Sequence, residues 1–320
     1  MKKILIICFL LSQSIAGFSQ ENVALKKIED SLKILGKAIL YGESDLTKHN
    51  ANVRFLKLMA KALVIENSFD YPFDSLITIA RLKSEDKKFR IINWNLRKED
   101  GTYEYFGFVQ VWSSKQKKYL LYPLIDKSDS INNPETQTLE PRNWYGELYY
   151  KIVFNKFAGR KYYTLLAWDG NNNESQKKII DVLTFNSNDK PVFGAPIFKY
   201  NKKTYKRIIF EYNATVSMSL KYDKQNTEYG KKKRTMIIFD RLCPADPSLE
   251  GSYAFYYPET NIFDSFIFKK GKWNFVKDVD ARNPGESKEE RKRRQQIIKE
   301  QKAHNQVKDE KVINSPYFHH

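Results

Sequence analysis

The residues best suited to ligand chemistry in this 320-residue chain form the run Asp169-Gly-Asn-Asn-Asn-Glu174. Asp169, Asn171 and Asn173 place side-chain oxygens at alternating positions, and Ca²⁺ takes six to eight hard oxygen ligands on a curling backbone. The run departs from the helical calcium loop, because Glu174 replaces the turn glycine and Ile180 the closing carboxylate. A plain hairpin turn explains the same composition. The spacing indicates Asp169, Asn171 and Asn173 as candidate ligand-binding residues, with calcium as the candidate cofactor.

Carboxylate catalysis is a second chemistry that the chain could support. Asp169, Glu174, Glu211 and Asp240 each follow an apolar, strand-like segment. Two acids held at a suitable separation hydrolyse glycosides without histidine. Surface acids at strand ends are the alternative interpretation, so the sequence assigns no catalytic residue. A carboxylate-based glycan hydrolase is the second functional hypothesis. The sequence favours a protein that is not an enzyme.

Histidine and cysteine are too sparse for other common chemistries. The four histidines are His49, His304, His319 and His320, and Cys8 and Cys243 are the two cysteines. Serine and cysteine nucleophiles need a positioned base, most often histidine. Zinc sites draw on histidine and cysteine together. The composition disfavours triad hydrolases and zinc peptidases, and the sequence predicts no metal site of this kind.

Trp144 is a further candidate for ligand binding. It lies in Pro141-Arg-Asn-Trp-Tyr145, outside any predicted strand, whereas the other tryptophans lie in or beside strand-like segments. An exposed indole could stack on a sugar ring, and a buried one fills the core. Both interpretations remain open for Trp144.

The charge balance bears on partners. The formal net charge is +17, which favours anionic partners such as an envelope surface or an acidic glycan, and which also keeps a protein soluble. The chain lacks the aromatic RNA-reading signature and any phosphate-cradling glycine loop. Nucleic acid is therefore an improbable partner.

The amino-terminal residues predict a signal peptide over residues 1–19. Lys2 and Lys3 precede an apolar run, Ile4 to Leu11, and small residues stand at Gly17 and Ser19. The run is shorter than the roughly 20 residues that cross a bilayer, and no later segment is apolar enough. We expect a secreted protein of the periplasm or the extracellular space, with no membrane span in the mature chain.

Residues 20–68 predict a helical hairpin. Leu25, Ile28, Leu32, Leu35 and Ile39 recur at steps of three and four, which puts one apolar stripe on one helix face. Gly42 suits the end of this helix, and Ser44 or Asp45 the start of the next.

Residues 69–282 predict an antiparallel β domain. Phe89 to Leu96 and Tyr103 to Trp112 flank Asp100-Gly101, which is typical of a hairpin with a tight primed turn. In all, about a dozen short segments rich in β-branched and aromatic residues are predicted to be strands. The fold class is mainly β (α+β): an antiparallel sandwich, barrel or layered meander, with a β-propeller as the alternative. Residues 283–320 predict a charged tail, helical or disordered, whose arginine cluster could contact an anionic surface.

The chain resembles uncharacterised exported bacterial β-rich proteins with no assigned activity. The resemblance is carried by the leader end Phe18-Ser-Gln20 and by Trp168-Asp-Gly170 and Pro191-Val-Phe-Gly194. It implies export and a β-rich body, and it transfers no site. The leading hypothesis is a non-catalytic envelope or interaction protein of unknown ligand.

Overall fold

The computed structural model describes the backbone of residues 2–227 and 230–279, and the side chains of residues 22–224 and 234–279. The charged tail predicted for residues 283–320 lies outside the described residues. The chain divides into two compact units. The larger comprises residues 1–223 and 235–279, and it contains both helices and every cluster of buried apolar residues described below.

Two helices open the chain, α1 (Lys2–Tyr41) and α2 (Asp45–Leu63). The predicted boundaries between them are correct. Ser44 caps α2, because its hydroxyl oxygen accepts the backbone N–H of Thr47 at 3.3 Å. A side chain at Gly42 would collide with the backbone carbonyl of Ala38, which explains the glycine at this turn. Within the described residues, no helix has both the length and the apolar character needed to cross a membrane.

Fifteen strands follow within the described residues, in three sheets. The first sheet has the order β1 (Ala80–Lys83), β2 (Phe89–Arg97), β3 (Tyr103–Ser113), β4 (Lys118–Ile125). The second has the order β11 (Ile208–Asn213), β7 (Ser175–Phe185), β6 (Arg160–Asp169), β5 (Leu148–Phe157), with β8 (Pro191–Phe193) paired to β7. The third has the order β10 (Lys203–Tyr205), β9 (Phe198–Tyr200), β15 (Lys272–Val276), β14 (Tyr256–Lys269), β13 (Gly230–Pro244), β12 (Leu220–Thr227).

The predicted hairpin joins β2 to β3, with a longer connection than expected. Residues 98–102 close it through a backbone hydrogen bond from the N–H of Lys98 to the carbonyl of Thr102 at 2.8 Å. Gly101 alone in this turn has a positive φ, +87°, so it is not the two-residue primed turn that Asp100-Gly101 suggested.

The larger unit is layered. Ile92, Trp94 and Leu96 of β2 pack against the helices, whereas Phe89 and Ile91 pack against the second sheet. The second sheet is likewise buried on both faces, the other one contacting the third sheet. A strand that is covered on both faces tends towards a continuous apolar run, and β6 has such a run from Tyr162 to Trp168, interrupted only by Thr164.

The predicted class, mainly β with an amino-terminal helical hairpin and antiparallel sheets, is confirmed. The described residues form neither a closed barrel nor a propeller. One pairing, β15 with β9, is parallel. The helices share a core with the first sheet: the Trp94 indole N–H donates to Asn52 Oδ1 at 2.8 Å, and its ring meets Phe55 edge-on at 4.7 Å.

Candidate functional site

A cleft of about 940 Å³ lies between the first and second sheets. Its walls come from β3, the segment after β4, the end of β6 and the start of β7. Its polar lining residues are Lys98, Asp100, Thr102, Glu104, Asp126, Lys127, Ser128, Asp129, Ser130, Asp169, Asn171, Asn172 and Lys177. Its other lining residues are Leu56, Tyr103, Tyr105, Phe106, Gly107, Pro123, Leu124, Ile125 and Tyr145.

Tyr105 forms hydrogen bonds with two acids that line the cleft. Its hydroxyl accepts the backbone N–H of Gly170 at 2.8 Å, so its own proton is directed to Asp169 Oδ1, also at 2.8 Å. Its backbone N–H donates to Asp126 Oδ2 at 3.1 Å. One residue of β3 therefore positions an acid from the second sheet and an acid from the segment after β4.

Asp169 is the most buried acid among the lining residues. Its Oδ1 accepts hydrogen bonds from the Tyr105 hydroxyl and from the backbone N–H of Asn171 at 2.7 Å. Its Oδ2 lies 3.6 Å from Lys177 Nζ. Burial raises the pKa of the Asp169 carboxyl, against the opposing effects of Lys177 and of these hydrogen bonds. When Asp169 is protonated, its proton therefore belongs on Oδ2, because Oδ1 already has two donors.

Two of the three residues considered for calcium, Asp169 and Asn171, contact an ammonium group of the chain itself. Lys177 Nζ donates to Asn171 Oδ1 at 2.8 Å and forms the ion pair with Asp169 Oδ2. Asn171 Nδ2 donates to Ser175 Oγ at 2.7 Å, and the residue adopts a left-handed φ of +51° that suits a turn. Among the described residues, no group of three or more histidine, cysteine or acidic side chains is arranged to hold a metal ion. The loop thus has the bonding of a hairpin turn closed by a lysine.

Asn173 sits where the two hairpins meet. Its Nδ2 donates to the backbone carbonyl of Asp100 at 3.0 Å, and its Oδ1 accepts from Arg97 Nη2 at 3.2 Å. A side chain at Gly101 would collide with Asn173. Asn173 therefore fixes the position of Asp100, a lining residue, relative to the Asp169 loop.

Trp144 is a core residue in the structure. Its side chain is fully buried, and its indole N–H donates to the Tyr149 hydroxyl at 2.7 Å. Its backbone forms a parallel bridge with Asp126, through the N–H of Trp144 to Ile125 O at 3.0 Å and the N–H of Lys127 to Trp144 O at 2.9 Å. Trp144 accordingly acts on the cleft by placing its neighbours Asp126 and Tyr145.

Asp126 is one of the lining acids that the sequence did not single out. Its Oδ1 accepts the backbone N–H and the hydroxyl of Ser128, at 2.9 and 2.6 Å. A side chain at Gly146 would collide with its carboxyl group. Asp-x-Ser directly after the strand-like run Tyr119 to Ile125 is a signature of an Asx turn, and it could have identified this residue.

The four acids proposed from sequence do not line one common cleft. Asp169 lines the cleft. Glu211 lies beside the Asp169 loop, where Oε1 accepts from the Ser175 hydroxyl at 2.5 Å. Glu174 is exposed. Asp240 belongs to the third sheet, where its Oδ2 accepts the N–H of Ser219 at 2.7 Å.

The lining differs in charge from the chain as a whole. It contains five carboxyl groups and three lysines, whereas the full chain carries a net charge of +17. The half-buried ring of Tyr103 adds an aromatic surface, held edge-on to Trp168 at 5.4 Å.

The arrangement offers hydrogen-bond donors and acceptors around an aromatic ring, which suits a small polar ligand. No protein-family model, curated protein sequence or solved structure matches this chain.

Proposed function

We propose that the protein is an exported, non-catalytic envelope or interaction protein that binds a neutral glycan fragment in the cleft between its first two sheets. The observation that supports it most is the cleft itself, about 940 Å³ in volume, with Asp169 held in one orientation between Tyr105, Asn171 and Lys177. A preformed concave site with a few fixed polar groups is the usual form of a small-molecule site.

A glycan fits this lining better than an apolar ligand does. Sugars present many hydroxyl groups, and the carboxylates, amides and hydroxyls of the wall can accept and donate to them. Tyr103 supplies a ring against which the apolar face of a sugar can pack. The excess of carboxyl groups over lysines in the lining favours a neutral glycan over an acidic one, since like charges repel at close range.

Export is the part of the proposal that rests on the amino-terminal residues. Lys2, Lys3 and the apolar run that follows have the order of a secretory leader. Polysaccharides of the cell envelope would be the accessible source of such a ligand.

Calorimetric titration of the full-length protein with neutral, acidic and amino-sugar oligosaccharides tests the proposal. We expect a neutral oligosaccharide to bind, and Asp169→Asn and Tyr103→Ala each to weaken binding by about tenfold or more, the scale of one lost hydrogen bond or ring contact. Glu174→Gln is the matched control, because Glu174 is an exposed acid of the same loop that is not among the lining residues. Equal affinities of the Asp169 and Glu174 variants, or no binding of any neutral glycan, would contradict it.

A carboxylate-based glycan hydrolase is the second candidate, and one observation favours it. Asp169, whose pKa burial raises, and Asp126 line the same cleft, and an acid with a second carboxylate is the minimal machinery of a glycosidase. Incubation with the bound oligosaccharide separates the two functions. A binding protein returns the ligand intact, whereas a hydrolase generates new reducing ends that disappear in Asp126→Asn and Asp169→Asn.

A further inference from the structure

A pair of acids is buried behind the wall of the cleft. Glu147 immediately precedes β5, and Asp181 lies in β7. Neither side chain has any exposed surface. Among the described residues, neither carboxyl oxygen of Glu147 has a hydrogen-bond partner, and an unpaired buried charge is costly, so the folded protein favours the protonated form of Glu147.

The charge of one guanidinium group acts on both acids, but only Asp181 accepts a hydrogen bond from it. Arg207 is fully buried; its Nη2 donates to Asp181 Oδ2 at 2.6 Å, and its Nη1 donates to the carbonyl of Pro134 at 2.7 Å. The backbone N–H of Val182 donates to Asp181 Oδ1 at 2.6 Å. These donors stabilise the negative charge on Asp181, whereas the oxygens of Glu147 have no such donor in the part of the chain that the structure describes, so Glu147 is the acid that holds a proton.

The groups that face Glu147 act on its protonation in opposite directions, and burial is the largest influence. They are Asp181 from β7, Asp169 from the end of β6, the Tyr149 hydroxyl from β5, and Arg207. Burial and the two acidic neighbours raise the pKa of Glu147 well above its ordinary value, and Arg207 opposes them. Ionisation would put a second negative charge beside one guanidinium in a fully buried site, which is costly.

The same segment forms part of the cleft wall. Tyr145 lines the cleft, and the Arg207 guanidinium carbon lies 5.5 Å from the centre of its ring. Gly146 packs against the carboxyl group of Asp126. The Asn93 side-chain amide donates to the backbone carbonyl of Glu147 at 2.7 Å. A change at Glu147 is therefore transmitted directly to the lining.

We propose that Glu147 and Asp181 are a pH-sensitive lock on the cleft: the pair holds one proton while residues 145–147 are packed and loses it when they unpack. The folded protein then retains a proton that the unfolded chain releases near pH 4.5, the ordinary value for Glu147. The equilibrium constant for folding must therefore fall as pH rises from that value to the pKa of Glu147 in the folded state. The full effect is a tenfold fall per pH unit, about 1.4 kcal/mol.

Denaturant unfolding of the full-length protein between pH 5 and pH 9 tests the lock, with Glu147→Gln as the variant. Glutamine keeps the size and shape of the side chain but has no carboxyl proton to lose. The folding equilibrium constant of this variant should therefore fall less steeply with rising pH, by up to tenfold per pH unit. Glu174→Gln, which changes an exposed acid, should follow the wild-type profile. Parallel profiles for wild type and Glu147→Gln would overturn the proposal.

Hydrogen exchange locates the effect and needs no ligand. Amides of residues 145–149, corrected for intrinsic rates, should lose protection with rising pH in the wild type and keep it in Glu147→Gln. If that variant does not fold, infrared spectra of the wild type labelled with ¹³C-glutamate decide the matter. A neutral glutamic acid band that persists at pH 8 supports the lock, and its absence overturns it.

Discussion

The hydroxyl of Tyr105 donates a hydrogen bond to Asp169 Oδ1 at 2.8 Å, and this bond joins the first sheet to the second at the edge of the cleft. Its direction is fixed, because the same oxygen accepts the backbone N–H of Gly170. The bond orients an acid of the cleft whose pKa burial raises. The site and the contact between the sheets are therefore stabilised by the same interaction.

Removing this hydroxyl should affect both stability and acidity. We expect Tyr105→Phe to lower the free energy of unfolding by about 1–3 kcal/mol, because two buried partners lose a hydrogen bond. The pKa of Asp169 should rise further, since this bond lowers it. Chemical denaturation and carboxyl NMR titration measure the two effects. Tyr253→Phe, at an exposed tyrosine, is the control and should change neither.

Gly170 should not accept a side chain, because a Cβ there would collide with the ring of Tyr103. We expect Gly170→Ala to destabilise the protein by about 1–3 kcal/mol, the usual cost of overpacking. The double variant Gly170→Ala/Tyr103→Ala should recover part of the loss that Gly170→Ala adds. A double-mutant cycle from thermal unfolding measures this coupling. Strictly additive effects would show that the ring is not the obstacle.

The helical hairpin should unfold together with the first sheet. Phe55 of α2 is fully buried against Trp94 of β2, so Phe55→Ala should cost about 3–5 kcal/mol. Ile34→Ala is the matched control on α1, because Ile34 is 71% exposed. Circular dichroism and tryptophan fluorescence should report one coincident transition. Separate transitions would mean that helices and sheet fold independently.

Calcium should not stabilise the wild-type protein, because the Lys177 ammonium already occupies the oxygens of Asp169 and Asn171. Thermal unfolding with calcium and with a chelator should give the same midpoint. Lys177→Met should raise the pKa of Asp169 further, since the lysine charge lowers it. A midpoint that rises with calcium in the wild type would favour the ion over the lysine-closed turn.

Export predicts a shortened amino terminus. Expression with the native leader in a Gram-negative host should place the protein outside the cytoplasm, beginning near Gln20. Fractionation with intact-mass measurement tests this expectation. Replacing Ile4 and Leu10 with arginine should retain full-length protein in the cytoplasm, because a charged segment no longer acts as a leader.

Local patterns in the chain were sufficient for the two helices, the strands of the first hairpin and the class of fold. The apolar stripe from Leu25 to Ile39 predicts α1, and the capping chemistry of Gly42 and Ser44 gives the break before α2. Alternating β-branched and aromatic residues predict β2 and β3. These elements can be predicted from the sequence because each depends on residues within a few positions of one another.

The order of the strands and the composition of the cleft were decided by the tertiary structure. Asp169 was identified from its own loop, but its partners Tyr105 and Lys177 were not. Tyr105 comes from another sheet, and the position of Lys177 depends on the register of β6 with β7. Trp144 lies in an irregular segment, and only packing shows that its ring is buried. The lock at Glu147 has the same origin: burial and a neighbouring carboxyl group set the protonation of an acid, and neither is encoded in the residues adjacent to it.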